Sequence, residues 1–297
     1  MELQWPLMVF TLLVCLGAGT FGVTGLLAGF GKAQEVQAPA TLVSLVAIAA
    51  GGIASFLHLE HWDRIFNGFG HLESGITQEL IGIAVFAIVA LAYLVLIRRT
   101  GAPRWAGWVA LGISVVLVVV MSLSYTMAAR LVWNTPLLPV YYLANAALFG
   151  SLVVSVITVM KKADAGLVSK ITLVAAIFML VAVVAYGIYI PLSASSFVSV
   201  GNYFDPTQPT RATAEPQGIL SGFLTGEYAL LFWGGALVLG AAVPVVLAFL
   251  ATRRTAAPTG VSAPVALAAT SALCALGGGL CFRALLYVLG FSVFVFY

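Results

Sequence analysis

The sequence predicts an all-α, polytopic membrane protein: eight transmembrane helices in one bundle, a single domain over residues 1–297, with both termini on the outer side. Three observations carry this. Hydrophobic residues fill 62% of the 297 positions and charged ones only 8%, against about half and about a quarter in soluble domains. Apolar runs long enough to cross hydrocarbon, about 20 residues each, recur eight times. Lysine and arginine collect in alternate loops, as the bias toward cytoplasmic cations requires. The same composition excludes a water-soluble fold, a disordered chain and a nucleic-acid binder.

The predicted spans lie near 6–30, 39–58, 76–97, 105–129, 138–160, 169–192, 226–251 and 262–290. The first run has Glu2 as its only nearby charge and no basic segment before it, so it reads as a membrane helix and not a signal peptide. Gly and Pro mark the span ends at Pro6, Gly101-Ala102-Pro103, Pro136, Pro139, Pro191 and Pro258. Within the last run, Gly277-Gly278-Gly279 suits close helix packing in lipid. Only one connection is long, Ser193 to Thr225, which contains Asn202-Tyr203-Phe204-Asp205-Pro206 and reads as an ordered or partner-covered loop.

Orientation follows from the cations. Lys32, then Arg98, Arg99 and Arg104, then Lys161, Lys162 and Lys170, then Arg253 and Arg254 fall after spans one, three, five and seven. The other loops hold only Arg64, Arg130 and Arg211, and Arg283 sits inside the last span. Most carboxylates show the reverse preference: Glu2, Glu60, Asp63, Glu73, Glu79, Asp205, Glu215 and Glu227 are outer, Glu35 and Asp164 inner. All three histidines are outer as well, which puts any chemistry at that face.

The richest polar segment runs from His58 through Glu60, His61, Asp63, Arg64 and Asn67 to His71, Glu73 and Glu79. His58 closes the second span and Glu79 opens the third. An imidazole that titrates near neutrality beside a carboxylate suits two-proton redox chemistry on a small organic carrier. The plain alternative is an interfacial loop whose charges pair with one another. A haem needs axial ligands on opposing helices. Here the histidines at 58, 61 and 71 surround one loop, so no haem is expected. Cys15, Cys274 and Cys281 have no cluster or zinc spacing and read as small core residues, so no iron–sulfur cluster or metal is expected in this chain.

Tyr125, Arg130, Asn134, Asn145, Glu227 and Arg283 are further polar residues within or beside spans. Arg283 either pairs with Glu227 or Glu79 or lines a cavity for a polar headgroup; a charge at such depth is costly. Trp5, Trp62, Trp105, Trp108 and Trp133 read as an aromatic belt.

These residues resemble the membrane-anchor subunits of dimethyl sulfoxide reductase and related molybdoenzymes, the DmsC type. The resemblance runs over the whole length: eight spans, Trp5-Pro6-Leu7 opening the first, and an H-L-x-x-x-x-R-x-F-N pattern at His58-Leu59, Arg64, Phe66 and Asn67. Glu79, the Tyr125 to Pro139 stretch, and Arg283 with Tyr287 extend it. Glu60 and Trp62 stand where the family commonly has Gly and Pro, and Glu227-Tyr228 where it often has Arg. The resemblance implies an anchor in the bacterial cytoplasmic membrane that oxidises menaquinol near the outer face in anaerobic respiration. Electrons go to an iron–sulfur subunit and on to a molybdopterin catalytic subunit on the same side. It implies His58 and Glu79 as proton-handling residues, with Arg64, Asn67, Tyr125, Arg130 and Arg283 around the quinol. A secondary transporter and a passive tether without a quinol site are the competing readings; the chain shows no internal duplication of the transporter kind.

The charge pattern makes a topology prediction. A reporter active only outside the cytoplasm, fused after Gly222, is expected to be active, and one fused after Lys162 silent. The reverse pattern would invert the assigned orientation.

Overall fold

The computed structural model describes residues 3–57, 70–196, 214–255 and 265–292; the side chains of 214 and 215 are excepted. Among them there is no strand, and eight helices are long and apolar enough to cross a membrane. They are α1 Trp5–Gly29, α2 Gln34–Phe56, α3 Gly75–Thr100, α4 Arg104–Ser124, α5 Leu137–Met160, α6 Gly166–Ser193, a seventh span Leu231–Thr255, and α9 Val265–Val288. A short helix α7, Ala214–Ser221, precedes the seventh span, where a π-helical segment Leu231–Ala242 runs into α8, Val243–Thr255.

The predicted spans correspond one for one, with shifted ends. α2 begins five residues earlier than its apolar run, because Gln34, Glu35 and Gln37 are already helical; Pro39 lies inside the helix at its sixth position, where the Glu35 carbonyl loses its usual i+4 donor. α4 stops at Ser124 and not near 129; residues 125–136 fold back as turns beneath the bundle end. The π-helical stretch has no counterpart in the sequence reading. Of the long connection, 197–213 lies outside the described residues. Its far end is anchored, since Leu220 and Phe223 are buried.

α1 is the central post. Of its most apolar stretch 78% is buried, against 22% for α3, which faces lipid. Glycine lets the neighbours close on it. A side chain at Gly19 would strike the carbonyl of Ala146, and one at Gly150 the carbonyl of Gly19, so the α1 and α5 backbones touch. Gly25 meets Gly107 of α4 in the same way. Ser44 of α2 donates to the Gly17 carbonyl at 2.7 Å. Without a hydrophobic drive between helices in lipid, such backbone contacts and hydroxyl bonds hold the bundle. Of the triple glycine, Gly278 packs on Gly240 of the π-helical segment and Gly279 on Phe149, while Gly277 meets nothing within 4 Å.

All cations in the described helix ends lie at one end of the bundle: Arg98 and Arg99 in the last turn of α3, Arg253 and Arg254 in that of α8, and Arg104 in the first turn of α4. Glu79, Tyr125 and the α9 C-terminus lie at the other. Trp5, Trp105 and Trp108 are exposed, as a belt requires; Trp62 is outside the described residues. Trp133 departs from the belt: it is buried and donates to the Leu286 carbonyl at 2.7 Å.

The glycine contacts are testable. Gly19→Leu or Gly150→Leu is expected to destabilise by about 1–3 kcal/mol through overpacking, read as a lowered thermal transition of the detergent-solubilised protein. Gly112→Leu, with nothing within 4 Å, is expected to stay within about 0.5 kcal/mol.

Candidate functional site

At the end opposite the basic residues, three helices and one turn deliver polar side chains to one place. α1 brings Thr11 and Cys15, one turn apart. α5 brings Tyr142 and Asn145. α9 brings Arg283 and Tyr287, again one turn apart, and the turn after α4 brings Tyr125 and Trp133.

Arg283 is 1% exposed and organises the group. Its Nε donates to Thr11 Oγ1 at 2.9 Å, Nη1 to the Gly279 carbonyl at 3.1 Å, and Nη2 to the Thr11 carbonyl at 3.2 Å and Asn145 Oδ1 at 3.0 Å. Cys15 Sγ lies 3.5 Å from Nη2, and the guanidinium carbon stands 5.3 Å from the centre of the Tyr142 ring. Among the described residues no carboxylate reaches salt-bridge distance of it. Of the two readings open for Arg283, the ion pair with Glu79 or Glu227 is not formed; neutral acceptors take its place, and Glu227 is exposed. The dipoles satisfy the N–H groups but leave the positive charge uncompensated. An arginine at membrane depth costs about 3 kcal/mol on insertion scales.

Glu79 lies in the first turns of α3, 9% exposed, and accepts a hydrogen bond from Ser124 of α4; Ser124 also donates to the Met121 carbonyl at 2.8 Å. Gly75 fits against Ser124, where a side chain would collide, so the starting turn of α3 and the end of α4 are locked together. Tyr125 follows directly. Its hydroxyl is held well above the usual phenol value, by burial first and then by the carboxylate of Glu79; Arg283 acts in the opposite direction. Tyr125 is thus a neutral phenol within electrostatic reach of both Glu79 and Arg283.

Tyr125, Trp133, Tyr142, Arg283 and Tyr287, with Leu138 and Leu286, enclose a chamber of about 10 Å³, room for about one water and not for a naphthoquinone ring. Around Arg283, the hydroxyls of Tyr287 and Tyr141 and the amide nitrogen of Asn145 are buried without a hydrogen-bond partner among the described residues. Buried groups in folded proteins nearly always have one, so this region carries unused polar capacity. Arg130 covers the chamber from outside. Its guanidinium lies 4.5 Å from the Trp133 ring centre and reaches the Gly290 carbonyl at 3.4 Å.

Of the residues expected at the site, Glu79, Tyr125, Arg130 and Arg283 are brought into one neighbourhood. His58, Arg64 and Asn67 lie outside the described residues. His71 is exposed, with Nδ1 3.5 Å from Glu73, and Asn134 is exposed too. Thr11, Cys15, Ser124, Tyr142 and Trp133 complete the cluster without having been singled out for it. Cys15 is buried, as expected of a core residue, but touches the guanidinium. No group of three or more metal-ligating side chains occurs among the described residues.

A profile of the DMSO reductase anchor subunit (DmsC) family matches residues 1–289. The chain belongs to that family. It is therefore a multi-pass membrane anchor of the kind found in DMSO reductase-type complexes, associated with catalytic molybdoenzyme subunits. A search of curated proteins finds no match.

Proposed function

We propose that this DmsC-family anchor binds and oxidises menaquinol at the chamber end of the bundle, and that this end faces outward from a bacterial cytoplasmic membrane. Electrons leave to an iron–sulfur subunit docked on the same face, and from there to a molybdopterin catalytic subunit. The observation that carries the reading is Arg283: a buried guanidinium with no carboxylate partner among the described residues, beside the unpartnered Tyr287 hydroxyl and Asn145 amide, close to a buried acid.

The residues fit a quinol headgroup in chemistry. Menaquinol, when bound, gives up two protons and two electrons. A closed chamber of about 10 Å³ cannot take the ring as it stands, so the ring sits at the chamber mouth, against Tyr125 and Arg130, with one oxygen directed inward. Tyr125, neutral over the whole ordinary pH range, donates a hydrogen bond to that oxygen. Arg283 supplies positive potential that favours a deprotonated oxygen over a neutral one. Glu79 accepts one proton, steadied by Ser124, and His58 accepts the other, with Arg64 and Asn67 beside it. Glu79 lies at the end opposite the basic residues, and in the proposed orientation the protons leave from there to the outer water. If the catalytic partner also consumes protons outside, turnover builds little proton gradient.

A passive tether could use Arg283 to join α1, α5 and α9, but it gives no use to the buried acid Glu79 beside the chamber. In membranes holding the assembled complex, Glu79→Gln is expected to lower quinol-dependent turnover about 100-fold, the scale of a lost general base. Turnover with a soluble dye that reduces the catalytic partner directly should stay unchanged. Equal rates with both donors would remove the assignment and favour the tether.

A further inference from the structure

A second feature lies away from the chamber, toward the basic end. α4 and α6 stand apart there, and the gap between them forms a groove of about 450 Å³, floored by small residues of α1 and α5 such as Ala18, Gly22 and Ala147. Its walls are almost purely apolar. Val174 on its rim is 68% exposed, so the groove opens sideways toward lipid. Along α6 it extends from Lys170 to Phe178, about 12 Å at the helical rise. One leaflet of hydrocarbon is about 15 Å deep, so the groove covers most of a single leaflet.

Its mouth is charged. Lys170 lines the groove. On the opposite wall Arg104, Trp108, Leu111 and Val115 follow at helical spacing, which puts Arg104 on the stripe whose Leu111 and Val115 line the groove. Arg104 lies beside Gly31 in the turn after α1, and Trp108 packs on Gly29. Both cations are exposed, and neither has a carboxylate within salt-bridge distance among the described residues. An apolar slot one leaflet deep with two unpaired cations at its interfacial end matches an acyl chain below a negatively charged headgroup. It does not match an uncharged prenyl tail, which has no use for cations.

We infer that the groove between α4 and α6 is a binding site for an anionic phospholipid of the leaflet at the basic end, with one acyl chain in the slot and its phosphate between Lys170 and Arg104. Basic pockets between membrane helices recognise such headgroups by charge. The inference does not depend on quinol oxidation.

The test is native mass spectrometry of the full chain released from nanodiscs of phosphatidylglycerol mixed with phosphatidylcholine. The wild type is expected to retain one phosphatidylglycerol in preference. Lys170→Gln and Arg104→Gln should each reduce that preference about fivefold, whereas Arg253→Gln with Arg254→Gln, at the same end but off the groove, leaves it intact. Ala147→Phe, or Val174→Trp on the rim should the first fail to fold, should abolish retention of either lipid. Retention without headgroup preference, an equal drop in the Arg253/Arg254 control, a menaquinone in place of the phospholipid, or a dimer that these bulky substitutions dissociate would each overturn the assignment.

Discussion

One buried charge constrains the half of this bundle that lies away from the basic helix ends. Arg283 is held by two backbone carbonyls, a hydroxyl and an amide oxygen, contributed by α1, α5 and α9. Those acceptors can converge only because the helices lie close, and they lie close because of glycine. Gly19 and Gly150 bring α1 and α5 into backbone contact, and Gly279 lets α9 approach Phe149 of α5 and Leu12 of α1. Removing the guanidinium would leave Asn145 Oδ1 without the donor it has here, and a buried unsatisfied atom costs about 1–3 kcal/mol. Among the described residues the charge itself finds no opposite sign in its contact shell. The proposed quinol would bring an oxygen able to become negative and so offset that imbalance.

The two ends of the molecule divide the labour. At the basic end the cations sit in terminal turns, where α3 and α8 present favourable C-terminal dipoles to them. There the chain meets lipid and sets its orientation. At the opposite end charges are few, buried and mutually placed: Glu79 locked to Ser124, Tyr125 within electrostatic reach of Glu79 and Arg283, Arg130 outside over Trp133. The proposed quinol oxidation would need this polarity, with the chemistry at one face and the other left to fix the protein in the membrane.

Much of the fold was legible in the sequence, because burial in lipid demands long apolar helices and leaves little freedom in how they are encoded. Span ends were less so: Gln34 to Gln37 are polar yet helical, and residues 125–129 are apolar enough to suggest helix yet turn back. The π-helical stretch Leu231–Ala242 is invisible to hydropathy, since its residues are as apolar as any α-helical span. At the site, Glu79, Tyr125, Arg130 and Arg283 could be picked out as polar residues in apolar surroundings. Their partners could not, because a hydroxyl, a thiol or a carbonyl carries no charge to betray it. One signal was available: Thr11 with Cys15, and Arg283 with Tyr287, recur at i and i+4, which places each pair on one helix face. Trp133 misled, since tryptophan near a span end fits a belt as well as a core. Of the two readings left open for Arg283, the ion pair does not occur among the described residues: sequence offers carboxylates as partners and hides backbone carbonyls.

The central claim is that the buried guanidinium draws the quinone headgroup to this chamber. Trp133 lines that chamber, so its fluorescence reports an arriving naphthoquinone directly. Titrating the assembled complex with a short-chain naphthoquinol should quench Trp133 emission, judged against a Trp133→Phe control. Arg283→Lys should retain most of that affinity, and Arg283→Gln should weaken it at least about tenfold, as expected for a lost charged hydrogen bond of about 1.5–3 kcal/mol. Quenching that is independent of Trp133, or of equal affinity in Arg283→Gln, would contradict the account.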